Sequence, residues 1–135
     1  MDNYVKNITL IHADLVKPRS AFIECTDSIS CLHVIEHIGL GWYGDPIDFL
    51  DHLIALNNIH YMLKKKGLFY FSIPIGDQRI EFNAHKVFSV QYLLDCFNEQ
   101  YEINNFSFVD DLGKLKENVT LTEEIIKTNA GYRYG

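Results

Sequence analysis

Three side chains that can transfer protons or bind a metal ion lie close together in the sequence. His33, Glu36 and His37 stand at i, i+3 and i+4, so one turn of helix would place them on the same face. A free imidazole has a pKa near neutrality, which makes His37 the natural general base of the group. Glu36 and His85 are the further candidates for a catalytic role.

The same residues can be interpreted as metal ligands. His33, Glu36 and His37 offer imidazole and carboxylate groups, a mixture that suits Zn, Mn or Fe better than Mg. A divalent ion held there would lower the pKa of an acceptor hydroxyl and orient it for attack. A structural interpretation also stays open, in which His33 packs in a strand while Glu36 and His37 bond to local backbone.

The spacing His-x-x-Glu-His is also the signature of the inverted zinc proteases. That motif needs a sustained helix to present two zinc ligands. Here a β-prone run precedes His33, and Gly39 and Gly41 follow. A metal-dependent hydrolase that uses His33, Glu36 and His37 is therefore the last of three functional hypotheses.

Hydrophobic periodicity and turn residues predict the elements that must position these side chains. We expect strands over residues 8–12, 28–35, 68–73 and 103–109, and helices over 48–65, 89–98 and 121–127. Alternating strands and helices predict an α/β domain with a mainly parallel sheet and right-handed crossovers. Ligands of such sheets bind outside the carboxyl ends of the strands, and both Asp14 and residues 33–44 follow predicted strands.

Several residues predict where the elements begin and end. Ser89 is a favourable N-cap for the second helix. Lys64, Lys65 and Lys66 are expected in the last turn of the first helix, where they would interact with its dipole, and Gly67 is expected to cap it. The glycines Gly39, Gly41 and Gly44 would permit either a turn with positive φ or a close approach to a ligand.

Three segments resemble class I S-adenosylmethionine-dependent methyltransferases over nearly the whole chain. They are Ala13-Asp14-Leu15, the run from Asp27 to His37, and Met62-Leu63-Lys64-Lys65-Lys66-Gly67-Leu68. A more specific likeness is to the domain of unknown function 268. It lies in residues 33–46, in Ile73-Pro74-Ile75-Gly76 and in Phe82-Asn83-Ala84-His85, and Trp42 departs from the basic residue expected at its position.

The resemblance implies an incomplete Rossmann-like methyltransferase sheet, mainly parallel, with flanking helices. Residues 1–135 would form a single α/β domain equivalent to the C-terminal two-thirds of such an enzyme, without the glycine-rich cofactor loop. Asp14 would accept a hydrogen bond from the adenine amino group, and Leu15, Leu32 and His33 would complete this part of the cofactor site. The His-x-x-Glu-His segment also resembles the metal site of certain small-RNA and quinone O-methyltransferases, with His33 in place of the first Glu. This resemblance implies that His85 is a further metal ligand beside His33, Glu36 and His37.

The implied function is methyl transfer from S-adenosylmethionine to an unknown small-molecule or glycan acceptor. The protein would be a truncated form, or one whose sheet is completed by a protein partner. The alternative is a non-catalytic α/β interaction module or relic that binds protein through open sheet edges.

Composition excludes several other classes of function. The net charge of -6 disfavours a nucleic-acid-binding surface, which needs clustered Lys and Arg. The three cysteines lack CxxC spacing, so neither a disulfide framework nor a thiolate zinc site is indicated, and a reducing, cytoplasmic setting fits. No targeting segment is recognised, and no apolar run approaches the ~18 residues of a membrane span.

The missing cofactor loop leads to a first prediction. The glycine-rich turn normally cradles one end of S-adenosylmethionine, so the purified 135-residue chain should bind this cofactor weakly or not at all. Isothermal titration calorimetry measures this directly, and low-micromolar binding by the chain alone would show the prediction to be wrong.

Overall fold

Two parallel strands and the helix that joins them form the centre of the molecule. The computed structural model describes residues 6–17, 20–41, 46–81, 85–97 and 99–131. Strand β1 (Thr26–Leu32) pairs with β2 (Leu63–Ser72) in parallel, and helix α1 (Asp51–Met62) lies between them in the chain. The strand–helix–strand unit expected from residues 28–35, 48–65 and 68–73 is confirmed, with shifted ends.

A stripe along α1 packs against the parallel pair. His52, Ala55, Leu56 and Ile59 are buried at i, i+3, i+4 and i+7, the spacing that lines one face of a helix. Ala55, Leu56 and Ile59 form the core together with Cys31 and Ile35, and partly buried apolar side chains surround it: Leu15, Ile29, Ile38, Phe69, Phe71, Ile73, Cys96 and Phe97.

The first helix ends earlier than the sequence suggests. Leu63 already has extended backbone angles, and the carbonyls of Tyr61 and Met62 accept hydrogen bonds from the amides of Glu24 (2.8 Å) and Cys25 (3.0 Å). These bonds satisfy helix-end carbonyls that would otherwise lack partners. The segment that leads into β1 therefore caps α1, and the chain enters β2 directly.

The lysine run belongs to β2 and not to the helix. Pairing passes from Thr26↔Leu63 to Ser28↔Leu68, so Lys64 to Gly67 form a bulge opposite Asp27. A Cβ atom on Gly67 would lie only 2.9 Å from the Lys64 carbonyl oxygen, which explains the glycine. The expectation that these lysines end α1 and that Gly67 caps it is therefore wrong.

The remaining elements are short. Helix α2 is Val90–Phe97, helix α3 is Glu123–Lys127, and single 3-10 turns are formed at Ser20–Phe22, Ile35–His37 and Asn129–Gly131. Two antiparallel pairs join β3 (Arg79–Ile80) to β4 (Lys86–Val87), and β5 (Phe108–Val109) to β6 (Leu115–Lys116). None of the described helices is long and apolar enough to cross a membrane.

Helix α2 begins as predicted, with support from a distant residue. The Ser89 hydroxyl accepts a hydrogen bond from the Tyr92 amide (3.2 Å), which confirms Ser89 as an N-cap. The Val90 amide donates to the side-chain oxygen of Asn129 (3.0 Å), whose amide nitrogen donates to Asp77 (3.1 Å). Buried Asn129 thus ties the C-terminal 3-10 turn to the start of α2.

The mainly parallel Rossmann-like sheet is not found among the described residues. They form a mixed α/β structure whose single parallel pair is β1–β2. Residues 8–12 form no strand, and only Phe108–Val109 of the expected strand 103–109 is extended, in an antiparallel hairpin. A strand exists only where a neighbour supplies hydrogen bonds, and no described strand lies beside residues 8–12.

The parallel pair is covered on one face only by the described residues. Cys31 points toward α1, whereas Leu32, Leu68 and Tyr70 are 57%, 47% and 54% exposed. Parallel sheets are normally covered on both faces. Within the described part of the chain, the outer face of β1 and β2 therefore exposes these three large apolar side chains.

Gly39 closes the turn that leads from the parallel pair back to α1. Its φ is +75°, and its carbonyl accepts a hydrogen bond from the Asp48 amide (3.2 Å). A Cβ atom here would lie 1.8 Å from the Asp48 carbonyl oxygen, so no side chain fits without moving backbone. Gly41 also has positive φ, which confirms a turn, while Trp42 and Gly44 lie outside the described residues.

This close approach predicts unequal effects of alanine at two glycines with the same φ. Gly113 also has φ +75°, but the space around it is open. Gly113→Ala should cost ~1–2 kcal/mol, because it adopts a left-handed conformation. Gly39→Ala should cost ~2–5 kcal/mol, because overpacking adds to the same strain. Urea unfolding of the two variants measures the difference, and equal losses would contradict the close approach.

Candidate functional site

The carboxyl ends of β1 and β2 meet at His33 and Ser72. The His33 amide donates to the Ser72 carbonyl (3.0 Å), and His33 then adopts a φ of +53°. Positive φ is uncommon for a residue with a side chain and carries a conformational cost. This strained residue turns the chain out of the strand and into the 3-10 turn Ile35–His37.

Glu36 is buried beneath this turn. Its side chain is almost fully enclosed, with 1% residue exposure, and Oε1 lies 3.0 Å from Nδ1 of the half-exposed His33. Oε2 is also buried and has no hydrogen-bond partner in the described part of the chain. An unpaired buried carboxylate oxygen is costly and rare in native proteins, so this atom marks a place where a partner is expected.

The core thiol beside this carboxylate is not a nucleophile. Burial and, to a smaller extent, the charge of Glu36 raise the pKa of Cys31 to about 11. A thiol reacts as the thiolate, so Cys31 stays protonated and unreactive near neutral pH. The histidines and Glu36 remain the predicted proton-transfer groups.

Strand β4 brings His85 to the same edge. Phe88 pairs with the segment after β2, accepting from the Gly76 amide (2.9 Å) and donating to the Pro74 carbonyl (3.2 Å). The rings of His37 and His85 consequently lie edge to face, with centroids 6.3 Å apart. Two residues that are far apart in the sequence thus form a ring pair, and Asn83 lies outside the described residues.

The four predicted metal ligands form two pairs, His33 with Glu36 and His37 with His85. Within the described ranges, no three His, Cys, Asp or Glu side chains are grouped so that they could hold an ion. Their role as ligands stays a prediction. The sustained helix of the zinc-protease motif is not formed, because only Ile35–His37 makes a 3-10 turn.

Asp14 and Leu15 lie elsewhere. The Asp14 carboxylate bonds to the side chain of Lys17 (3.0 Å) and the amide of Val16 (2.9 Å), and these contacts lower its pKa. The Leu15 carbonyl accepts from Asn58 of α1 (2.7 Å). Both residues border a cavity of about 120 Å³ against the last turns of α1, smaller than the ~300 Å³ of the smallest usual ligand pockets.

This cavity and the histidine pairs are at opposite ends of the parallel strands. Helix α1 ends beside the start of β1, where Thr26 pairs with Leu63, while Leu32 and His33 lie at the other end. A seven-residue strand spans roughly 20 Å. The structure therefore does not bring Asp14 and Leu15 together with Leu32 and His33, and their role in binding S-adenosylmethionine stays a prediction.

A buried polar network behind the site was not predicted from the sequence. The Lys86 ammonium, in a residue only 4% exposed, donates to the carbonyls of Ile38 (2.8 Å) and Phe49 (3.1 Å) and lies 3.3 Å from Nδ1 of His52. Nε2 of His52 lies 2.7 Å from the Tyr92 hydroxyl. Burial lowers the pKa of both Lys86 and His52, and raises that of Tyr92 to about 12.

One sequence signal could have pointed to this network. His52 occupies the first position of the buried stripe of α1, where an apolar residue is usual. A polar residue at such a position needs a partner in the core. The sequence does not say which partner, because Lys86 and Tyr92 are 34 and 40 residues away.

Comparison with known proteins identifies a family for this chain. The model of a family described as Caenorhabditis protein of unknown function, DUF268, matches residues 1–129. No curated protein and no solved structure matches the chain.

The buried network makes stability depend on pH through His52. Its folded pKa is lowered from 6.5, first by burial and then by Lys86, so the unfolded chain binds this proton more tightly. Stability should be retained above pH 6.5 and fall as the pH drops from there through the folded pKa. When the free energy of unfolding in urea is plotted against pH between 5 and 8, the slope should be shallower for His52→Gln than for the wild type. An unchanged slope would contradict this account.

Proposed function

The chain belongs to the DUF268 family, and we propose that it is a methyltransferase-like protein that binds a methyl acceptor at the carboxyl ends of β1 and β2. In this proposal the protein acts in a partner-completed form. Elements from another polypeptide segment supply the binding site for S-adenosylmethionine.

The observation that carries the proposal is the unpaired Oε2 of Glu36. The atom is buried at the carboxyl ends of two parallel strands, which is where ligands of parallel sheets bind. His33 holds the other carboxylate oxygen, and the His37–His85 pair lies at the same edge. A buried acceptor next to titratable side chains is the usual mark of a functional site.

The chemistry available to these residues is proton acceptance. A hydroxyl or amine could donate a hydrogen bond to Glu36 Oε2, which would satisfy the unpaired oxygen and let the carboxylate take the proton that the acceptor loses; the imidazole of His37 or His85 could accept that proton in turn. The cavity beside Asp14 and Leu15 is about 120 Å³, and no three described side chains are grouped as metal ligands, so binding of S-adenosylmethionine or of a metal ion stays a prediction. The proposal therefore assigns no step to either group and does not rely on Asp14 and Leu15.

The uncovered face of the parallel pair supports completion by a partner. Leu32, Leu68 and Tyr70 project from β1 and β2 and are about half exposed, although parallel sheets are normally covered on both faces. The same surface favours the second candidate, a non-catalytic interaction module. The two differ at Glu36, because a module that only binds protein has no need for an unpaired carboxylate at the strand ends.

A paired substitution tests the proposal. Tagged wild-type chain, Glu36→Gln and the control Glu117→Gln, at an exposed glutamate, would each be isolated under native conditions from cells that express them. Each preparation would be incubated with S-adenosylmethionine labelled in the methyl group and with the extract of the same cells. We expect wild type and Glu117→Gln to label an acceptor, and Glu36→Gln to label it about 100-fold less, the effect of losing an acid–base group.

Two results would oppose methyl transfer. Equal labelling by Glu36→Gln and wild type would place any activity outside this site. Absence of labelling by a wild-type preparation that contains a stoichiometric partner would favour the interaction module.

A further inference from the structure

The Lys86 ammonium joins three separate parts of the chain. Lys86 lies on β4, its Nζ donates to the carbonyl of Ile38 just after the 3-10 turn, and to that of Phe49 just before α1. Its third proton faces Nδ1 of His52. An ammonium has three donors, so these contacts satisfy it completely.

The positions of these bonds matter for the candidate site. Lys86 directly follows His85, and Ile38 directly follows His37. The 2.8 Å bond from Nζ to the Ile38 carbonyl therefore ties together the two backbone segments that carry the facing rings. A backbone shift at either end of this bond would change the separation of the rings.

His52 completes the arrangement as an acceptor. In the tautomer with Nδ1 unprotonated, His52 accepts from the charged lysine, and its Nε2–H donates to the Tyr92 hydroxyl, 2.7 Å away. The carboxylates of Asp48 and Asp51 favour the charged lysine, and Phe88 packs against the His52 ring. Neutral His52 thus fixes the position of the ammonium.

We propose that Lys86 is a positioning residue that sets the separation of His37 and His85, and that His52 holds Lys86 in place for this task. The inference rests on the proposed function only in treating the histidine pair as part of the site. It concerns side chains that touch no predicted ligand, and its test needs neither cofactor nor acceptor.

A purely structural lysine would behave differently. If Lys86 only stabilised the fold, its removal would lower the melting temperature without altering ring contacts in the molecules that remain folded. If it positions the pair, the ring contact is lost in folded molecules too. A spectroscopic measure of the His37–His85 contact separates these cases.

The experiment uses histidine-labelled full chain and the NOE between the ring protons of His37 and His85. Lys86→Met keeps the length of the side chain and removes the ammonium. Lys64→Met is its control, because Lys64 forms an ion pair with Asp27 at the other end of the sheet. We expect the NOE in wild type and Lys64→Met, and its loss in folded Lys86→Met.

A second pair of variants, both at His52, tests the proposal if Lys86→Met fails to fold. In His52→Asn the amide oxygen can replace Nδ1 toward Lys86, whereas in His52→Gln the amide can replace Nε2 toward Tyr92. We expect the NOE to persist in His52→Asn and to be lost in His52→Gln. Its absence from wild type, or its persistence in folded Lys86→Met or in His52→Gln, would overturn the proposal.

Discussion

The packing of α1 against two parallel strands is the constraint on which the rest of this structure depends. Ala55, Leu56 and Ile59 can be buried only if the helix runs back along the strands toward their amino ends. That direction places the start of α1 beside the 3-10 turn after β1, and its end beside the segment before β1. Consequently His33 and Glu36 lie at the carboxyl ends of the strands, whereas the cavity beside Asp14 lies at the amino ends.

Some buried polar side chains in the core have all their hydrogen bonds, whereas Glu36 does not. Lys86, His52 and Tyr92 satisfy one another and two backbone carbonyls, so their burial is compensated and the network joins β4, α1 and α2. Glu36 is satisfied only in part, since Oε2 has no partner. Compensated networks rigidify a fold, while an uncompensated carboxylate beside histidines is better explained by binding or proton transfer.

The two faces of the parallel pair differ in how they are covered by the described residues. Its inner face is covered by α1, and its outer face carries Leu32, Leu68 and Tyr70 in contact with solvent. The family match identifies the chain as a DUF268 member but does not say what covers this face or which reaction takes place. In the proposal, elements of the partner would cover the apolar side chains of the outer face and contribute to a cofactor site.

The sequence alone determined the central unit, because its signals are local. Apolar residues at helical spacing specified α1, apolar runs specified β1 and β2, and the Ser89 hydroxyl specified the start of α2. The grouping of His33, Glu36 and His37 also followed from their spacing, with His85 added by resemblance. Tertiary structure decided the rest: residues 8–12 gained no strand neighbour, the lysine run became a bulge, and Asp14 came to lie away from His33. Strand pairing and the partners of buried Lys86 and Glu36 depend on contacts between residues far apart in the chain, and such contacts leave no periodic trace in the sequence.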